Sequence, residues 1–119
     1  MPQLIDKSVQ FPQENISIEE YVGRISTHEN RISIGRISSG PGWKEPAQRP
    51  QFDEYSIVLH GSLYVTAEDG SVVVVRAGQG VLVRAEERIQ YSTPEAEGAD
   101  YIAICLPAFD MRLARRDPN

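Results

Sequence analysis

The sequence predicts an all-β chain, a single barrel or sandwich of short antiparallel strands. Three observations predict it. About seven strand-length runs follow one another at close spacing, and Gly, Pro, Asn or Asp punctuates them. No segment of helical length carries an apolar period of 3.6 residues. The chain has 119 residues, enough for one such core and not for two, so residues 1–119 read as one domain.

Residues 1–15 are polar with scattered apolar positions and two prolines, and read as an extended arm. Ile16 to Ile25 gives a mixed pattern, a short strand or turn-rich lead-in. Thr27 to Asn30 is a turn into a strand over Arg31 to Ser38, where Ile32, Ile34 and Arg36 oppose Ser33, Gly35 and Ile37. Gly40 to Pro50 is too rich in Gly and Pro for a helix or central strand and reads as a long ordered loop at a barrel mouth. The next strand covers Gln51 to Val65. Asp69-Gly70 signals a two-residue hairpin, since Gly accepts the positive φ of a type I′ turn. Ser71 to Arg76 and Val81 to Ala85 are strands joined by Ala77-Gly78-Gln79-Gly80. Ile89 to Ser92 continues the sheet, and Tyr101 to Leu106 closes it. Pro107 ends that strand because it cannot donate to the ladder. Residues 107–119 form a tail in which Phe109 to Arg115 can make one helical turn, while Arg112, Arg115 and Arg116 read as a solvated basic end.

Composition excludes several classes. With 40% hydrophobic and 24% charged residues the chain is an ordinary globular protein. Twelve basic against seventeen acidic residues give a net charge of −5, which opposes nucleic-acid backbones and anionic membranes. Met1 to Ser8 lacks a basic start followed by an apolar core, so no secretory signal is expected. The longest purely apolar run, Val72 to Val75, is too short to span a bilayer. A single cysteine, Cys105, excludes an internal disulfide and fits a reducing cytoplasm. It lies in an apolar run, where an inert buried thiol is expected.

The chain is organised around Pro50 to Val65. Alternation from Phe52 puts Glu54, Ser56, Val58 and His60 on one face and Tyr55, Ile57 and Leu59 on the other. Glu54 is the one acidic residue inside an otherwise strand-like run, and it points where an apolar side chain belongs. Gly61 follows, then a hairpin, then Ala77-Gly78-Gln79-Gly80 before another strand. This arrangement, over roughly Gly40 to Leu106, resembles the two-motif signature of the cupins. The resemblance implies a single-domain jelly-roll barrel with Glu54 inward, and a homodimer formed through edge strands and the terminal arm. Cys105-Leu106-Pro107-Ala108-Phe109 and the histidine-poor first motif are similar to the ethanolamine-utilisation-protein-like cupins.

The departures bear on chemistry. In the cupin pattern two histidines precede the Glu by four or five residues and a third follows the second motif. Here those places hold Gln48 and Pro50, or Ala47 and Arg49 in the alternative register, and then Ile89 with Gln90 beside it. With every imidazole ligand missing, no bound metal and no cofactor are expected.

Glu54 is the candidate general acid or base, because burial raises a carboxyl into the range where it exchanges protons near neutrality. The competing reading pairs it structurally with Arg36, Arg49 or Arg84. Tyr91, two residues past Ile89 on the same face, can assist through its phenol or merely form wall; Tyr101 is a weaker case of the same kind. Gln48 and Arg49 are candidates to orient a substrate. His60 shares the face of Glu54, while His28 sits in a turn without a role. Trp43 and Phe52 flank the long loop as the apolar lip of a pocket, or else plug the barrel end.

These residues support binding of a small polar metabolite, with a metal-independent isomerase, lyase or cyclase as the enzymatic version. A non-catalytic sensor and a divalent-metal enzyme with non-histidine ligands are the alternatives. A small-molecule ligand, no nucleic acid and no membrane complete the expected partners.

Overall fold

The computed structural model describes residues 1–118. In chain order the elements are β1 (Val9–Gln13), β2 (Ile16–Val22), β3 (Ser33–Ser39), β4 (Trp43–Lys44), β5 (Asp53–Ala67), β6 (Val72–Arg76), β7 (Gly80–Val83), β8 (Ile89–Thr93), β9 (Ala99–Leu106) and α1 (Met111–Ala114). All strand pairings are antiparallel. One sheet runs β1-β2-β3-β9-β5 with β7 on the far side of β5, and the other places β8 between β4 and β5 and adds β6.

β5 belongs to both sheets and holds the barrel together. Its first half pairs with β7 and β9, and its second half, from Ser62, pairs with β6 and β8. The change of sheet takes place at a register shift between Val58 and His60, followed by Gly61 at φ 74°. Only glycine fits here, because a Cβ on Gly61 would stand 2.0 Å from the Gly98 carbonyl oxygen.

Several expected elements differ in detail. The last part of the arm is a strand: Val9 to Gln13 pairs with Ile16 to Glu20 across a turn where Asn15 adopts φ 61°. Pro12 is tolerated because β1 is an edge strand and needs no donor on its open side. The loop from Gly40 to Pro50 contains β4, and Gln48 bridges to Ile89. The turn after β5 is longer than a two-residue hairpin. Ala67 N donates to Ser71 O, Gly70 N donates to Ala67 O, and Gly70 takes φ 88° alone, so Glu68-Asp69-Gly70 is a three-residue loop closed by a glycine bulge.

Alternation builds the core. Val58, Leu63, Val65, Val75, Val83, Ile89 and Tyr91 pack together between the sheets. Each fully buried large apolar side chain contributes about 1.5–3 kcal/mol. A smaller cluster at one end joins Phe52, Cys105 and Ala114, with Phe109 and Leu113 packed against it. The one turn of α1, capped by Asp110, closes that end. Among the described residues no helix is long and apolar enough to cross a membrane.

Candidate functional site

The curled sheets form a cavity of about 800 Å³ that opens to solvent past exposed Phe11, Lys44 and Met111. Glu54, from the first half of β5, and Tyr91, from β8, face it from opposite sheets. The Tyr91 hydroxyl donates to Glu54 Oε1 at 3.3 Å, so the bond crosses the barrel. Strand alternation places both: Glu54, Ser56 and Val58 are buried between exposed Tyr55 and Ile57, and Ile89, Tyr91 and Thr93 are buried between half-exposed neighbours.

A second carboxyl stands in the same cavity. Glu45 follows β4 and is anchored through its backbone, with its N–H donating to Tyr91 O at 3.2 Å and its carbonyl accepting Gln90 Nε2 at 2.8 Å. Its Oε2 accepts Arg116 Nη2 at 3.2 Å, while its Oε1 is buried without a hydrogen-bond partner. Arg116 also donates through Nε to Gln48 Oε1 at 3.2 Å. Gln48, itself buried, exchanges backbone hydrogen bonds with Ile89 and so is held by β8.

Burial dominates the electrostatics. Desolvation pushes the Glu54 carboxyl up to about 7 against the opposing effects of the Tyr91 hydrogen bond and the Arg116 charge. Desolvation likewise pushes Glu45 up to about 8; Arg116 opposes that shift and Glu54 adds to it. Tyr91 and Tyr101, both facing the cavity, are raised well above the usual phenol range by burial and then by the two carboxyls. Near neutrality the site thus holds two carboxyls that gain and lose protons, beside one permanent cation. A protonated carboxyl both donates and accepts, and can present a mixed hydrogen-bonding edge to a ligand.

Gln48, Glu54 and Tyr91 therefore meet as the sequence placed them, and Trp43 stands half-buried on the cavity wall. Three other candidates do not reach the cavity. Arg49, adjacent to Gln48, points the opposite way and donates to Glu86 O and Glu68 Oε2 on the outer surface. His60 is exposed, because the register shift after Val58 reverses the alternation; it borders a surface groove with Ser38 and Asp100. Phe52 is buried against Phe109, ring centroids 5.7 Å apart and edge-on, so it plugs the barrel end and forms no lip.

Arg36 is taken by Asp100, Arg49 by Glu68 and Arg84 by Asp53, so none of the arginines weighed as partners of Glu54 fills that role. Arg116 supplies the cation from the tail that reads as a solvated end. Glu54 is also not alone among strand carboxylates. Glu20 in β2 is buried, but it spends Oε2 on the N–H groups of Ile25 and Ser26 and fixes a turn. Cys105 faces the cavity, and burial pushes its thiol up, away from nucleophilic thiolate.

The metal positions of the cupin pattern do not fit a metal here. They hold Gln48, buried Pro50 and the apolar side chain of Ile89. Gln48 Oε1 and Glu45 Oε2 already accept the Arg116 guanidinium, whose charge opposes a second cation beside the remaining oxygens of Glu45 and Glu54.

No family model matches the sequence. Among solved structures, Streptomyces Pac13, described as a nucleoside dehydratase and determined with uridine, superimposes with a TM-score of 0.76 at 15% identity over 98% of this chain and 89% of its own. The EutQ protein of Clostridium difficile gives 0.66 at 19% identity over 78% and 63%. The fold is cupin-like. A relative named endoribonuclease YbeY, from Myxococcus xanthus (strain DK1622), is 41% identical over 100 residues, which is 84% of this chain and 34% of the relative. The chain spans about a third of that relative's length.

The Myxococcus relative overturns two expectations. One is the small-metabolite function, in its isomerase, sensor and metal-enzyme versions alike. The other is the partner set of a small ligand without nucleic acid. The physical reason is that a net charge of −5 argues against a basic surface gripping a phosphate backbone, but is silent on a base or ribose taken inside a cupin-like barrel.

Proposed function

We propose that the chain is an RNA-recognising barrel working in RNA processing, and that it takes one unpaired ribonucleoside of a strand into its cavity. The reading draws on the endoribonuclease name of the Myxococcus relative and on the uridine bound by the structural relative Pac13. The observation that carries it is the cluster of Glu45, Glu54, Gln48 and Tyr91 inside a cavity of about 800 Å³. Single-stranded RNA is read through splayed-out bases, whose edges need paired donors and acceptors and whose faces need aromatic walls. Two proton-exchanging carboxyls and an amide offer such edges, and Tyr91 and Tyr101 supply rings. An acidic chain gains little from neutralising phosphates along its surface, so recognition by the cavity goes with a shallow dependence on salt.

The test is fluorescence anisotropy with a labelled five-nucleotide RNA of each base, the corresponding duplex and the corresponding DNA. Binding of single-stranded RNA that exceeds duplex binding, and that weakens less than about tenfold between 50 and 200 mM salt, is the expected result. Duplex binding equal to single-strand binding with a steep salt slope would place the contact on the outer surface and overturn the proposal. So would the absence of binding to any RNA.

A further inference from the structure

Residues 115–117 form a strap that is sewn onto the segment leading into β5. Arg115 adopts φ 50° and turns the chain out of α1. Arg49 N then donates to Arg115 O at 3.3 Å, Asp117 N donates to Ala47 O at 2.8 Å, and Gln48 and Arg116 form an antiparallel bridge. Side chains lock both ends: Arg115 Nε donates to Arg49 O at 2.8 Å, and Arg88 pairs with Asp117. The result is one guanidinium brought by the strap to the two cavity carboxyls and held with a defined orientation. Its Nε and Nη2 are committed to Gln48 and Glu45, while Nη1 makes no hydrogen bond among the described residues. Beside it lies Glu45 Oε1, buried and unpartnered. Lys44, the exposed residue before Glu45, adds a second cation on the cavity wall.

A free guanidinium Nη1 next to an unpaired carboxyl oxygen matches a phosphate next to a ribose hydroxyl: Nη1 donates to a phosphate oxygen, and the carboxyl oxygen accepts from the hydroxyl. We propose that Arg116 receives a terminal phosphate of RNA and Glu45 the neighbouring ribose hydroxyl, so that the barrel reads a phosphorylated strand end. This rests on the ribonucleoside reading given above and narrows its ligand class.

The experiment compares five-nucleotide RNAs with no terminal phosphate, a 5′-phosphate or a 3′-phosphate by calorimetry. Ribonucleosides and ribonucleoside monophosphates serve as fragments, and the protein is tested as wild type, Arg116→Gln and Arg116→Lys. The expected result is that one terminal phosphate tightens binding to wild type by at least tenfold. Arg116→Gln should reduce that gain to under threefold, and Arg116→Lys should retain part of it. Equal binding of phosphorylated and unphosphorylated RNA to wild type overturns this inference and leaves the ribonucleoside reading standing, a comparison that needs no variant to fold. Monophosphates that bind while every RNA fails would overturn both readings, because no strand end is then read. Failure of all probes overturns both readings.

Discussion

On the outer wall Arg36 chelates Asp100 through two hydrogen bonds, and Arg88 does the same to Asp117. The Arg36 hydrogen bonds hold Asp100 below the ordinary carboxylate range, and those of Arg88 do so for Asp117. In the barrel Glu45 and Glu54 have one guanidinium between them, that of Arg116, and both carboxyls are pushed up to near or above neutrality. The residue types are the same, and the sign of the shift is opposite. Outside, water solvates whatever the pair leaves over, so pairing decides. Inside, desolvation exceeds the attraction of a single cation, so burial decides. The outward and inward faces are neighbours in sequence at Asp53 and Glu54. Asp53 faces out, accepts Ala85 N at 2.8 Å and meets Arg84 at 3.8 Å, whereas Glu54 faces in and meets a phenol.

The largest expected effect separates the two regions by pH. A carboxyl raised in the folded state contributes stability that is complete below the unfolded range, near about 4.3, and lost as pH rises through the folded value. For Glu54 and Glu45 the losses run through about 7 and about 8. The outer acids, lowered in the folded state, lose their contribution only as pH falls below the unfolded range. The melting temperature should therefore peak near pH 5 and fall by roughly 20 °C or more by pH 8, at about 1.4 kcal/mol per pH unit per retained proton. Thermal melts across that range, on wild type and on Glu45→Gln/Glu54→Gln, check it. The double variant should flatten the slope, and a flat wild-type profile would erase the distinction between interior and wall.

A single change should have a smaller effect of the same sign. Glu54→Gln keeps the shape, removes one desolvated charge and removes the repulsion that raises Glu45. At pH 8 the variant should melt roughly 10 °C above wild type, a gain of up to about 3 kcal/mol. Carboxyl chemical shifts should show Glu45 titrating lower than in wild type. A melting point lowered sharply at pH 8 would make Glu54 a structural partner instead.

How much of this was legible in the sequence depends on what carries each residue. Glu54, Gln48 and Tyr91 were readable because alternation within a strand, or one residue paired onto a strand, sets their direction. His60 was misplaced by the same rule, since one register shift at Val58 reverses every later side chain and nothing in the sequence marks it except Gly61. Arg49 belongs to the alternative register of the first motif, and the pairing of Gln48 with Ile89 turns Gln48 inward and Arg49 outward. Glu45 and Arg116 carried no periodic signal at all. A loop and a terminal strap bring them in, and their positions exist only once Gln48 has bridged both β8 and Arg116.

Tyr91→Phe sharpens the interior side further. It deletes the one side-chain hydrogen bond that Glu54 makes among the described residues and leaves the ring in the core. That bond opposes desolvation, so its loss should move the Glu54 titration higher still. It should also cost about 1 kcal/mol at pH 5. NMR titration of the Glu54 carboxyl reads the first effect and a melt reads the second. An unchanged Glu54 titration would mean that the phenol serves the wall alone.

The smallest effect belongs to the outer wall. Arg36 and Asp100 sit on the paired strands β3 and β9, two residues out of register, and join through a two-pronged contact. The side chain of Arg36 is 46% exposed and that of Asp100 18%, so water takes over much of what either loses. A double-mutant cycle with Arg36→Ala and Asp100→Asn should give a coupling of about 0.2–1 kcal/mol, with a melting shift that shrinks as salt rises. In Arg36→Ala the Asp100 carboxyl should titrate higher than in wild type, because desolvation is then opposed chiefly by the weaker Ser38 hydrogen bond. A coupling of 3 kcal/mol or more, insensitive to salt, is the magnitude of a buried pair. It would show that the wall at β3 and β9 is as dry as the cavity, and that position in the barrel does not separate the two kinds of carboxyl.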